Sequence, residues 1–152
     1  MLTWNIEHFK RNKTALHFFI EQHQPDFAFI SEPMLFQCDL SHEMNQFGGS
    51  YFSSLNSLDL YDSSLPLKSS RAFGGTMILW KEQHDPFVTV VPSSSSAFLP
   101  IIFEPPDLPI TIHVAVYLPT AGQDSEFANE LSNLHVCIEE LHEKHRDVII
   151  YL

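Results

Sequence analysis

Two oxygen-bearing residues stand where apolar stretches end near the start of the chain. Asn5 lies within Trp4-Asn5-Ile6, and Glu32 closes Phe29-Ile30-Ser31-Glu32. If these stretches are neighbouring strands, a carboxamide oxygen and a carboxylate meet at one edge of a sheet. A hard divalent cation such as Mg²⁺ takes few protein ligands of this kind and completes its shell with water. The same local pattern is also that of a turn-capping Asn and a solvated Glu. Tyr117 ends a further apolar stretch, Val116-Tyr117-Leu118-Pro119-Thr120. Its phenol could donate a hydrogen bond to a phosphate oxygen, or only its ring could be in use. Gly74-Gly75 precedes another apolar run and would allow close backbone approach to a ligand, or simply make a turn or bulge. His8, close to Asn5, is compatible with a substrate contact as well as with a structural place.

Other chemistries find less support. His142-Glu143-Lys144-His145 places its histidines at i and i+3, whereas the zinc-protease pattern needs i and i+4; this segment reads as a solvated helix end that favours the helix dipole. There is no Ser-His-Asp order and no phosphate-cradling Gly loop. Cys38 and Cys137 are far apart and form no zinc spacing, so both read as reduced thiols. The sequon Asn12-Lys13-Thr14 reads as chance, since no signal-type stretch opens the chain. No apolar run reaches the roughly 20 residues of a membrane helix, which leads to the expectation of an intracellular protein, nuclear or cytoplasmic and not secreted. Eight Lys and Arg against 19 Asp and Glu give a formal net charge of -11. That disfavours a nonspecific nucleic-acid-binding surface. It is compatible with an enzyme that meets phosphate through a bound cation, because the ion inverts the local field.

The elements that must position these residues follow from periodicity. Leu2, Trp4 and Ile6 alternate with polar neighbours as in a half-buried strand. A helix is expected over about 13–23, with Leu16, Phe19, Ile20 and His23 on one face, ended at Gln24-Pro25. Phe27 to Ile30 reads as a buried strand, giving a βαβ-like opening. The segment from Pro33 to Ser70 has few periodic cues; Gly48-Gly49 suggests a turn, 50–55 a strand and 62–66 an exposed loop. Four strands are expected at 76–80, 87–91, 98–103 and 109–117, arranged as an antiparallel meander. Ser93 to Ser96 reads as a flexible loop. A long helix is expected over about 125–145, with Phe127, Leu131, Leu134, Ile138 and Leu141 as its apolar stripe. Asp147 to Leu152 reads as a buried central strand. At 152 residues and 44% hydrophobic content, one core and one domain are expected.

In combination the segments resemble the endonuclease/exonuclease/phosphatase superfamily. The resemblance is carried by Trp4-Asn5-Ile6 followed by a helix, Pro25-Asp26-Phe27 leading to Glu32, Phe73-Gly74-Gly75-Thr76-Met77-Ile78-Leu79-Trp80, and Val116-Tyr117-Leu118-Pro119-Thr120 before a long helix and an apolar strand. It is most similar to the endonuclease domains of LINE-type retrotransposons, relatives of apurinic endonucleases. The resemblance implies a four-layered α/β sandwich that hydrolyses phosphodiesters with Mg²⁺, Mn²⁺ being an alternative ion. It implies that Glu32 and Asn5 bind the metal, that Tyr117 sits at the scissile phosphate, and that His8, Gly74 and Gly75 lie on the substrate side. A Gly-Asp-Phe-Asn-type motif and a later Asp-His pair belong to that pattern, and neither lies in residues 1–152. The expectation is therefore the N-terminal portion of one such domain, a partial sandwich with its C-terminal half missing and inactive alone. The full-length parent would act on DNA, with a fused reverse transcriptase as its candidate partner. The competing expectation is a non-catalytic interaction module or a decayed gene relic.

Overall fold

The computed structural model describes residues 1–45, 50–57, 74–119 and 124–152. β1 (Leu2–Asn5) runs into α1 (Phe9–His23), which starts four residues earlier than its periodicity suggested. Gln24 ends the helix in the left-handed conformation, its N–H donating to the Ile20 carbonyl 2.8 Å away, and Pro25 follows. β2 (Phe27–Ser31) then lies parallel to β1, with Asn5 opposite Ser31. This is the βαβ opening that the sequence suggested. A single 3₁₀ turn leads into the short α2 (Leu40–Asn45), which no periodicity announced. Lys10 and Lys13 of α1 tie α2 down, reaching Asp39 and the buried Glu43, each at 2.8 Å.

The remaining strands form two sheets. β3 (Tyr51–Asn56) and β4 (Thr76–Lys81) complete the first, in the order β1-β2-β4-β3. β5 (Val88–Val90), β6 (Phe98–Phe103), β7 (Thr111–Val116) and β8 (Ile149–Tyr151) form the second in chain order. α3 (Asp124–Lys144) connects β7 to the parallel β8. The meander is thus confined to β5, β6 and β7. β4 left it for the first sheet because it is apolar on both faces, and between β2 and β3 both faces are covered: Met77 and Leu79 pack toward α1, and Ile78 and Trp80 toward the second sheet.

Three apolar layers separate four structural ones. Phe9, Leu16 and Ile20 of α1 cover Ala28, Ile30, Met77 and Leu79. Between the sheets, Phe27, Phe29, Ile78 and Trp80 meet Leu99, Ile101, Phe103 and Ala115. Leu134 and Leu141 of α3 cover Phe98, Ile102, Ile112 and Val114. The result is an α–β–β–α sandwich with mixed sheets, the architecture expected from the sequence.

Several local expectations are corrected. The Ser93 to Ser96 segment is a tied turn: Ser93 Oγ and Ser95 O are 2.8 Å apart, and Ala97 N donates to Ser95 Oγ at 2.9 Å. Asn56 Nδ2 reaches across from the first sheet to the Ser95 and Phe98 carbonyls. Hydroxyls that could have been solvated instead close the backbone groups of a turn between the sheets. The apolar stretch at 148–152, expected as a buried central strand, pairs with β7 at one side of the second sheet among the described residues and leaves Ile149 and Tyr151 exposed. On α3 the stripe is buried at Leu134 and Leu141, while Phe127 and Leu131 stand in solvent beyond the sheet. On α1, Leu16 and Ile20 are buried, but Phe19 and His23 are exposed and stack on each other. The Gly48-Gly49 turn, the 62–66 loop, Phe73 and Thr120 lie outside the described residues. No helix among the described residues is long and apolar enough to cross a membrane.

His113 sits at the seam between the sheets, stacked on Phe27 at 4.7 Å and on Tyr151 at 5.0 Å between ring centroids. Its Nε2 lies 3.0 Å from Thr111 Oγ1, and its buried Nδ1 has no partner. Burial, with a smaller contribution from the N-terminal amino group, pushes its pKa down from 6.5 to about 4. A ring kept neutral in the fold contributes stability that is complete above pH 6.5 and is lost as the pH falls toward 4. The Asp26 carboxyl, held low by its hydrogen bond from Lys81, adds a loss only below 3.8, outside that window. Urea midpoints measured from pH 7 to pH 4.5 are expected to fall in the wild type and to fall less in His113→Leu. Parallel slopes in the two proteins would contradict this account of His113.

Candidate active site

The carboxyl ends of β1, β2 and β7 converge at one end of the sandwich. At the first, Ile6 N donates to Ser31 O (3.0 Å) and extends the parallel pairing past Asn5. The chain then turns sharply through Glu7 (φ 48°) and His8 (φ 114°) into α1. His8 N donates to Glu32 O at 3.0 Å, Phe9 N to Pro33 O at 2.8 Å, and Asn12 Nδ2 to Ile6 O at 2.7 Å. The turn is thereby tied both to the Glu32 loop and to the first turn of its own helix.

The Glu32 loop is held from the opposite side by the glycine pair. Glu32 N donates to Gly75 O at 3.1 Å, and Met34 N to Gly74 O at 3.2 Å. Gly75 has φ 86°, and a Cβ there would stand 2.9 Å from the Asn56 carbonyl oxygen. The close approach that this pair permits is to its own chain, and it fixes the backbone of Glu32. Glu32 (φ 52°) and Met34 (φ 48°) are themselves left-handed. For Glu32 this departs further from preference, because a residue before proline favours extended backbone. Four non-glycine residues with positive φ, each costing roughly 1–3 kcal/mol, flank one point of the molecule. Strain of this kind persists only where surrounding contacts impose it, and it gathers at functional sites.

Tyr117 arrives from the second sheet. Its N–H donates to Ala97 O at 2.7 Å, and its hydroxyl donates to Glu32 Oε1 at 2.6 Å. The length is that of a charge-assisted O–H···O⁻ bond. That bond pushes the phenol pKa up to about 12, with burial and the charges of Glu32 and Glu7 adding to it. The phenol is therefore a committed proton donor at neutral pH. Of the two sequence readings of Glu32, the freely solvated one does not hold. Asn5 does make the turn-type bond, its Oδ1 accepting from Glu7 N at 3.2 Å, and one lone pair of that oxygen remains for another partner. His8 contributes an unpartnered, buried Nδ1. A buried polar atom without a partner calls for a specific explanation, such as a group supplied by a ligand.

Glu7 was not singled out from the sequence. Its exposed carboxylate makes the smallest contribution to the raised pKa of Tyr117. Only its position two residues after Asn5 hinted at this, since the left-handed turn that redirects it leaves no sequence pattern. No group of three or more His, Cys, Asp or Glu residues suited to a metal occurs among the described residues. The donors present are two carboxylates and one carboxamide oxygen. This set fits Mg²⁺, which is held by one or two carboxylates with waters and substrate phosphates, and not a structural zinc site. His142 and His145 lie far along the chain at the solvated end of α3, as expected. Since the hydrogen bond to Glu32 is the largest cause of the raised Tyr117 pKa, ahead of burial and of the Glu32 charge, a spectroscopic titration is expected to place Tyr117 near 12 in the wild type. In Glu32→Gln it is expected to move back toward 10, and an unchanged value would contradict the assignment.

No protein-family model and no curated protein matches the sequence. Solved structures do match the fold. An apurinic (AP) endonuclease from Leishmania major superposes with a TM-score of 0.59 at 17% identity, over 93% of this chain and 46% of that one. TDP2 from Caenorhabditis elegans gives 0.61 at 14% identity, over 97% and 44%. The 3' phosphatase NExo from Neisseria, bound to a product DNA hairpin, gives 0.61 at 10% identity, over 97% and 54%. The chain spans about half the length of these structures. Over that half, it has the α/β fold of these structures, with two mixed sheets.

Proposed function

We propose that this chain carries the cation-holding part of a phosphodiester-cleaving site, within the N-terminal portion of a single endonuclease/exonuclease/phosphatase domain. The observation that carries the proposal is the 2.6 Å bond between Tyr117 and Glu32 across the two sheets, with Asn5 and Glu7 beside it. Glu32, Glu7 and Asn5 would hold Mg²⁺, or Mn²⁺ in its place. The ion, when bound, would neutralise charge developing on a phosphoryl group. Tyr117, protonated throughout the physiological range, would donate to a phosphate oxygen at the site. His8, with its orphaned Nδ1, would face the substrate, and Gly74 and Gly75 would act by fixing the Glu32 backbone. The general base and its partner, on the resemblance of the sequence, belong to the longer protein. DNA is the proposed substrate of that protein, supported by the structural relatives whose printed descriptions include DNA. Its origin as a LINE-type retrotransposon endonuclease, with a fused reverse transcriptase, rests on the resemblance of the sequence motifs alone, and its nuclear or cytoplasmic location is a proposal that no motif carries.

A non-catalytic interaction module is the second reading, favoured by the net charge of -11, which disfavours a nucleic-acid-binding surface. The two readings differ in cation dependence. With Mg²⁺ at about ten times its dissociation constant, unfolding free energy is expected to rise by roughly 1.4 kcal/mol in the wild type and not in Glu32→Gln. Supercoiled plasmid is expected to stay uncut by the 152-residue chain alone. Stability indifferent to Mg²⁺ in both proteins would favour the non-catalytic module.

A further inference from the structure

The proposed site asks more of Tyr117 than one proton can give. A phenol carries one O–H, and here it is committed to Glu32 Oε1 at 2.6 Å. In the reading above, on which this inference rests, the same O–H must serve a phosphate oxygen. The Glu32 backbone cannot move aside to release it. Its N–H is held by Gly75 O and its carbonyl by His8 N, so the change has to occur in the side chains. What weakens the bond is loss of negative charge on the carboxylate, because the acceptor charge is what shortens and strengthens it. A divalent cation on Glu32 withdraws that charge. Conversely, while the phenol remains, it takes one lone pair of Glu32 Oε1 and draws on the charge that the carboxylate would offer a cation.

We propose that Tyr117 is a placeholder on Glu32: its hydroxyl satisfies the carboxylate until a divalent cation arrives, and cation binding releases that hydroxyl toward the phosphate of the substrate. The two events form an exchange with a fixed order, cation first and phosphate contact second. Without the cation, the site is closed by its own hydrogen bond, and Tyr117 is unavailable to a phosphodiester.

The test uses the full chain and Mn²⁺ as the probe, with free ion followed by electron paramagnetic resonance. The wild type is expected to bind Mn²⁺, and Glu32→Gln to lose that binding. Tyr117→Phe, which leaves no hydroxyl to displace, is expected to bind about threefold to tenfold more tightly, the order expected from a hydrogen bond to a charged group in a half-exposed setting. Unchanged or weaker binding in Tyr117→Phe, with Glu32 still required, would overturn the exchange and leave the cation site intact. Absence of Glu32-dependent binding in both wild type and Tyr117→Phe would overturn the site and the exchange together. A second measurement needs no variant: the Tyr117 ring-carbon resonance bearing the hydroxyl is expected to shift on saturation with diamagnetic Mg²⁺. A resonance that does not move would show that the bond to Glu32 survives cation binding, which also overturns the exchange.

Discussion

The apolar seam between the two sheets governs everything at the strand ends. Phe27, Phe29, Ile78 and Trp80 press against Leu99, Ile101, Phe103 and Ala115, with the His113 ring stacked among the aromatic groups. The large apolar side chains among them, when fully buried, each stabilise by roughly 1.5–3 kcal/mol, so the seam is a major term in holding the sheets face to face. It also sets their register. Asn56 and Thr76 of the first sheet bond to carbonyls of the 95–98 turn of the second, and that same turn receives the Tyr117 backbone. Tyr117 therefore faces Glu32 across 85 residues of sequence as a result of packing, without any local signal in either segment.

The site spends some of this stability. Left-handed Glu7, His8, Glu32 and Met34, together with the orphaned His8 nitrogen, are all unfavourable locally. They persist because β1, the glycine pair and Asn12 fix the backbone around them. The chain around them carries a net charge of -11. A divalent cation would invert the local field, and so an acidic chain is compatible with a phosphate-handling site.

Much of this was legible in the sequence. The βαβ opening, the buried β2, the strand at β4 and the long α3 were readable because alternation, continuous apolar runs and the 3.6 period leave direct traces. Asn5, Glu32 and Tyr117 were readable as strand-end residues; the structure bonds Tyr117 to Glu32 and sets Asn5 on the neighbouring strand, opposite Ser31. Lateral order was not legible. Nothing in Thr76–Lys81 says that it pairs with β2 and β3 in place of β5, and nothing in 149–151 says that the strand lies at one side of the second sheet among the described residues. The tied Ser93 to Ser96 turn was missed because serine hydroxyls read as solvent-seeking until a backbone is seen to use them. Glu7 was missed because its usefulness depends on a turn conformation rather than on residue type.

The central claim is that Glu32 is the anchor of a divalent cation site. Its most direct test is a crystal of this chain soaked in Mn²⁺ and measured for anomalous scattering. The account predicts a peak bonded to a Glu32 carboxylate oxygen, beside Asn5 and Glu7 at the carboxyl ends of β1 and β2. A fully soaked crystal with no peak at Glu32, or with its ion held elsewhere, would contradict it.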